Sequence, residues 1–273
     1  MKTAIFVALI ATTCFAQRIF PEAEGRVQIF YDQLSTLMNE TQCRFVATHS
    51  VGTQKVPLTL INRIRAYNAN FLLLHYELAF GAGDIFNLEG GSWVSDWDSV
   101  NTHDDWFIHA AGGERCRQTD WNWYLMDMSG GFEGAVPGGK EYWVRRALRR
   151  IRLNDCDGIF ADSHNMPWNM DHYPPLYAPP SDGWLGAAYL TFDNYIMSRL
   201  HTDSTEYKYI PNVGAWVTSW DYTDYSHCDG LMIENYSSWD CYNHFEPEDW
   251  QLEADRILNI AGMGKILILQ QTI

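Results

Sequence analysis

The sequence has little positive charge. Lys and Arg number 19 against 34 Asp and Glu, a net charge of −15 at pH 7. So acidic a chain is a poor partner for a nucleic-acid backbone or another polyanion. A neutral or cationic substrate is easier to accommodate. Long apolar runs are also missing. The stretch Ala4–Ala11 is too short to cross a bilayer, so no membrane span is expected. It follows Lys2 and precedes Thr13-Cys14-Phe15-Ala16, the pattern of a signal peptide over residues 1–17 with a cut near Ala16. On that reading the protein is secreted and extracellular. Loss of Lys2 with the segment takes the net charge from −15 to −16.

Metal and cofactor signals are absent as well. No C-x-x-C pair and no H-E-x-x-H motif occurs, and no two of the nine His are four apart. A metal-dependent polysaccharide deacetylase, which wants closely spaced His and Asp ligands, therefore ranks low. Convergence of His49, His75, Asp162 and His164 in space is what would restore it. No G-x-G-x-x-G follows the first predicted strand, so a dinucleotide fold loses support and no cofactor is expected. Cysteines are few. With Cys14 removed, Cys43, Cys116, Cys156, Cys228 and Cys241 remain. An odd number in a secreted chain leaves at least one free thiol or an intermolecular bond. One or two disulfides are expected, with the pairing open.

What the sequence does have is aromatic residues, with 12 Trp and 15 Tyr, many among Gly, Pro and Asp in predicted loops. A ring face matches the apolar face of a pyranose. Trp93, Trp97, Trp106, Trp168, Trp216 and Trp239 are candidates for such stacking. Two stretches share one form: Asp157-Gly158-Ile159-Phe160-Ala161-Asp162 and Asp229-Gly230-Leu231-Met232-Ile233-Glu234. Each opens with Asp-Gly, runs through apolar residues as a buried strand would, and ends on an acid. Two acids on one rim are what glycosidic cleavage needs.

Taken in order, residues 18–42 read as an N-terminal extension with an amphipathic helix around Arg26–Leu37. They carry a glycosylation sequon at Asn39, whereas the sequon at Asn235 lies too near the proposed site to be used. Residues 43–273 read as a barrel domain. Predicted strands lie at Arg44–Thr48, Asn70–Leu74, Trp123–Met126, Asp157–Asp162, Tyr207–Ile210, Asp229–Glu234 and Lys265–Leu269. Helices fall near Leu58–Ala66, Lys140–Arg152, Leu185–Leu200 and Pro247–Ala261, and a long aromatic insertion spans residues 81–122, with a short hairpin strand at Asp105–His109. The seven-fold β-α alternation predicts an α/β fold with a parallel sheet, a TIM (β/α)8-type barrel. An eighth βα unit is not found before Ile273, so a barrel lacking its last unit is expected.

These residues resemble hypothetical glycosyl hydrolase family fifteen, a group of TIM-barrel glycoside hydrolases. The likeness rests on Ala47-Thr48-His49-Ser50-Val51-Gly52-Thr53-Gln54-Lys55, Leu74-His75-Tyr76-Glu77, Asp105-Trp106-Phe107-Ile108-His109, Tyr124-Leu125-Met126-Asp127, the Asp162 strand and Trp250-Gln251-Leu252-Glu253-Ala254-Asp255-Arg256. The chain is also similar to endo-α-1,4-polygalactosaminidase barrels, whose acids follow the fourth and sixth strands. That resemblance implies Asp162 and Glu234 as the catalytic pair.

The expectation is thus a secreted, monomeric glycoside hydrolase acting on a polysaccharide or oligosaccharide. Asp162 is assigned as nucleophile or charge-stabilising carboxylate and Glu234 as general acid/base, with the opposite assignment and the choice between retention and inversion left open by the sequence. His49, His75, Glu77, Asp127, His164, Asn212, Trp216, Tyr236 and Gln270, all after predicted strands, are the substrate-binding candidates. The rival from another class is a non-catalytic sugar-binding barrel, which would retain glycans without producing new reducing ends.

Overall fold

The computed structural model describes residues 18–22, 25–83, 97–110, 112–119, 122–128, 138–164, 183–204, 206–215, 224–236, 238 and 243–270, with 183–188 described in their backbone alone. The elements, in order, are β1 (Phe30–Tyr31), α1 (Glu40–His49), β2 (Gly52–Gln54), α2 (Leu58–Arg65), β3 (Leu72–Leu78), β4 (Gly81–Ala82), α3 (Trp97–Val100), β5 (Arg117–Gln118), β6 (Trp123–Leu125), α4 (Gly139–Asn154), β7 (Gly158–Asp162), α5 (Gly183–Asp203), β8 (Lys208–Pro211), β9 (Gly230–Ile233), α6 (Pro247–Gly262) and β10 (Ile266–Leu269).

Seven of these strands form one parallel ladder. β1, β2, β3, β7 and β8 pair in that order, and β9 pairs with β10. A parallel bridge between Asn212 and Met232 carries the ladder from β8 to β9. Leu74, Tyr76, Phe160, Ile210 and Met232 form the interior of this curled sheet. Phe20 and Phe30 from one end of the ladder and Ile266 and Ile268 from the other pack against the same cluster. The sheet therefore wraps around a shared core, with α2, α4, α5 and α6 as crossovers.

The two Asp-Gly pairs turn out to stitch the bottom of the barrel. Asp157 accepts the backbone N–H of Leu73 on β3 at 2.8 Å, and Asp229 accepts that of Tyr209 on β8 at 2.9 Å. Each carboxylate thus ties its own strand to the preceding one. Asp157 also receives Arg18 and Arg65. Burial pushes its carboxyl up to about 6 against the pull of those partners. The glycine that follows is required by space. A Cβ on Gly158 would lie 2.1 Å from the Lys208 carbonyl oxygen.

Several expectations are corrected. Arg44–Thr48, rich in β-prone residues, is helical. Asn39 Oδ1 accepts from Gln42 N at 3.0 Å and Gln42 Oε1 from Asn39 N at 2.8 Å, a capping box that starts α1 four residues earlier. Cys43, Val46 and Ala47 then form its buried face. Residues 26–37 hold β1 and no helix, and Arg18, Phe20 and Phe30 make the supposed extension part of the barrel. Trp123–Leu125 is a strand, but it lies outside the parallel ladder. It pairs antiparallel with β4 and β5 in a three-stranded sheet built by the insertion. In place of a hairpin strand, Asp104–Trp106 forms a 3-10 turn followed by isolated bridges from Phe107 and His109. No disulfide forms among the described residues. Cys43, Cys116, Cys156 and Cys228 are buried and form no disulfide, and Cys241 lies outside the described residues.

Candidate active site

Side chains alternate across a strand with a period of two. The next inward position after each apolar core residue is therefore set by the sequence. After Phe30 it is Asp32, and after Leu74 it is Tyr76. After Phe160, Ile210 and Met232 it is Asp162, Asn212 and Glu234, and after Ile268 it is Gln270. A ring of polar groups thus caps the apolar interior at the C-terminal ends of the strands, where α/β barrels place their chemistry.

Asn212 stands at the centre of this ring. Its amide Nδ2 donates to Asp162 Oδ1 at 2.8 Å and to Glu234 Oε2 at 2.9 Å. Its Oδ1 accepts from Gly214 N at 3.1 Å, which fixes which end of the amide faces the acids. Because one nitrogen binds both oxygens, the two carboxylate oxygens can be no farther apart than about 5.7 Å, the sum of the two bonds. The Tyr76 hydroxyl donates to the other oxygen of Asp162. Burial, and then the Asp162 charge, hold that phenol well above its ordinary range, so it is a neutral donor.

Burial also raises the Glu234 carboxyl above its usual value, and the charge of Asp162 adds to this. The Asn212 hydrogen bond and the Lys55 ammonium pull the other way. Two neighbouring acids are therefore unlike in surroundings. Asp162 is gripped by two donors, while burial shifts Glu234 toward its protonated form. Ser163 and Asn235, the residues just after the acids, have left-handed φ of 54° and 58°, as does Lys55 at 56° after Gln54. Such backbone is uncommon for side-chain-bearing residues and concentrates at functional sites.

The third side of the ring is Asp32, Gln54 and Lys55. Asp32 accepts from Gln54 Nε2 and from Lys55 Nζ at 3.0 Å. Lys55 Nζ also lies 4.5 Å from the centre of the Tyr76 ring. This group, with Tyr76, is what reading the sequence alone does not select. β3 is buried at all seven positions, so its apolar pattern does not reveal which face looks inward. β1 is two residues long and carries no periodic signal.

The substrate-binding candidates scatter. Asn212 is in the site, and Gln270 belongs to the same ring by parity. Tyr236 is next to it, its N–H donating to the Gln270 carbonyl at 2.9 Å. His75 and Glu77 have the opposite parity to Tyr76 and face the helices. They bond each other at 3.0 Å, and Glu77 pairs with Arg146 of α4. His164 is fully buried in the helical layer, on Asp193 Oδ1 at 2.6 Å. His49 is exposed at the end of α1, its ring on Phe45. Asp127 follows β6 in the small antiparallel sheet, its N–H on the Trp106 carbonyl at 2.8 Å. The convergence of His49, His75, Asp162 and His164 that a deacetylase would need does not occur. Of the stacking candidates, Trp97 and Trp106 pack on Tyr124 and His103 within the insertion. Trp93, Trp168, Trp216 and Trp239 lie outside the described residues.

Known proteins agree with this architecture. Among solved structures, the chain is similar to an α-galactosidase from Lactobacillus brevis, with 10% identity and a TM-score of 0.50 over 94% of this chain and 33% of that one. It is also similar to a plant class V chitinase mutant from Cycas revoluta solved with (GlcNAc)3, with 8% identity and a TM-score of 0.47 over 88% of this chain and 67% of that one. The chain spans about a third of the length of the galactosidase. At 10% identity the likeness to the galactosidase is one of fold alone, the TIM barrel. No curated protein matches the sequence. The model of the family described as hypothetical glycosyl hydrolase family 15 matches residues 65–273, the stretch that holds Tyr76, Asp162, Asn212 and Glu234, and the chain belongs to that family.

Proposed function

We propose that the protein is a retaining glycoside hydrolase acting on a polysaccharide or oligosaccharide, with Asp162 as nucleophile and Glu234 as general acid/base. The observation that carries this reading is the Asn212 amide held between the two carboxylates. It keeps their nearest oxygens within about 5.7 Å. Retaining enzymes hold the two groups ~5–5.5 Å apart, and inverting ones ~6.5–9.5 Å to admit a water.

In the first step a carboxylate oxygen of Asp162 attacks the anomeric carbon. The bond to the leaving oxygen breaks, and Glu234 gives that oxygen its proton. In the second step Glu234, now ionised, takes a proton from water, the water oxygen attacks the anomeric carbon, and Asp162 is released. The raised Glu234 carboxyl suits the first role. Its surroundings also suit the change between steps. Once Asp162 is esterified its negative charge is gone, and Glu234 can ionise more easily to act as base. Tyr76 and Asn212 hold the nucleophile in one orientation throughout.

The net charge of −15 supports a neutral or amino-sugar substrate over an acidic one. We also propose that the protein acts outside the cell as a monomer and that residues 1–17 are its leader. N-terminal sequencing of the exported protein tests the leader. The activity is tested by a panel of α- and β-linked polysaccharides, amino-sugar polymers included, assayed for new reducing ends with the wild type, Asp162→Asn and Glu234→Gln. Turnover by the wild type that falls at least ~1,000-fold in each variant is expected. Glycan retention with no new reducing ends from the wild type would make the protein a binding barrel.

A further inference from the structure

On the outer side of β8, away from Asn212, lies a second cluster of ionisable groups. Asp193 of α5 is fully buried. Its Oδ1 accepts from the Tyr209 hydroxyl at 2.7 Å and from His164 Nε2 at 2.6 Å. Its Oδ2 and both ring nitrogens of His227 make no hydrogen bond of ordinary geometry, and the contacts of His227 and Cys228 with Asp193 are weak ones. His227 Nε2 lies 3.4 Å from that Oδ2. One ligand atom each from Asp193, His227 and Cys228 lies within 4.8 Å of the other two.

We propose that Asp193, His227 and Cys228 bind a divalent transition-metal ion, zinc by the chemistry of the donors. A 3.4 Å gap is long for an N–H···O bond, whose usual length is ~2.9 Å. It suits two donors sharing a tetrahedral ion, since bonds of ~2.0–2.1 Å set them roughly 3.4 Å apart. One oxygen, one imidazole nitrogen and one sulfur form a borderline-soft set that suits zinc over magnesium or calcium. The charges also close. A carboxylate and a thiolate cancel the ion's two positive charges, so no net charge is left in the helical layer. As the ion binds, the Cys228 thiol loses its proton to solvent and the metal–sulfur bond forms.

The neighbours of Asp193 fit the same reading. Tyr209 and His164 both donate to Oδ1, which orients the carboxylate and leaves Oδ2 for the ion. His227 is the partly open member, its side chain 19% exposed, while both of its ring nitrogens are buried among the ligand atoms. The ion would join α5 to the turn that enters β9, the strand that places Glu234. Its role is therefore to hold that strand, on the opposite side of β8 from the sugar chemistry.

The test is a Co2+ titration of full-length protein stripped with a chelator, followed by Zn2+ and thermal melting. The wild type should take up one equivalent of Co2+ with a thiolate-to-metal charge-transfer band, and Zn2+ should displace it. Zn2+ should raise the melting temperature by roughly 5 °C. In Cys228→Ser the charge-transfer band should vanish. In His227→Gln, which alters a partly exposed side chain and is the safer variant to fold, affinity should fall at least ~10-fold and most of the thermal shift should be lost. No charge-transfer band at saturating Co2+, the same band in Cys228→Ser, or an equal Zn2+ shift in His227→Gln would overturn the proposal.

Discussion

Replacing Asn212 by Ala removes the one group that touches both acids among the described residues. The side chain is 4% exposed, and its amide makes two hydrogen bonds to carboxylates, at 2.8 and 2.9 Å. Hydrogen bonds to charged groups contribute about 1.5–3 kcal/mol each, and removing one preorganised donor from an active site typically costs ~100–1,000-fold in rate. The variant should therefore lose at least about 100-fold in kcat/KM while staying folded. The pH profile gives an independent reading. Glu234 must be protonated in the first step, so activity falls as pH rises through its pKa. Burial and the Asp162 charge push that pKa up, and the Asn212 hydrogen bond holds it down. Without the amide the upward causes remain, so the basic limb of kcat/KM should move to higher pH. The assay is initial rate against pH on the best glycan of the panel. A loss below about threefold, or a basic limb that stays or moves down, would refute the bridging role.

Three further outcomes are expected. Tyr76→Phe deletes one donor to Asp162 and should lower kcat/KM by roughly 10–100-fold with little change in melting temperature, read by paired kinetics and thermal unfolding. Glu77→Gln breaks a buried pair with Arg146 on the helical side of β3. It should cost ~3–5 kcal/mol in denaturant unfolding and leave KM unchanged, whereas a raised KM at normal stability would make Glu77 a sugar contact. Gly158→Ala would place a Cβ 2.1 Å from the Lys208 carbonyl oxygen and should destabilise by about 3 kcal/mol; unchanged stability would show that β7 and β8 can part more easily than their register implies.

The parts of this barrel legible in sequence are those with a local signature. The strands that carry Asp162 and Glu234 announce themselves by an apolar run between Asp-Gly and an acid. α4 and α6 are read from their apolar stripes and first-turn residues. The N-terminal third is harder. Arg44–Thr48 has β-prone residues, and the capping box at Asn39 and Gln42 outweighs them. β1 and β2 are two and three residues long, and only their partners make them strands. Trp123–Leu125 is extended as expected, but no local feature says which sheet it joins. The same limit applies to the site. The acids were visible as strand ends, whereas choosing Tyr76 over His75 and Glu77 needs the inward face of a strand buried on both sides. Asp32 and Lys55 lie 130 and 107 residues before Asp162 in the chain, and only the folded barrel brings them within reach of Glu234.

The central claim is that the two carboxylates bridged by Asn212 work by double displacement. The most direct measurement is proton NMR of the first product, taken before mutarotation, from the glycan that the wild type cleaves. The account predicts that the new reducing end first appears with the anomeric configuration of the bond that was cut. A product that first appears with the opposite configuration would contradict it.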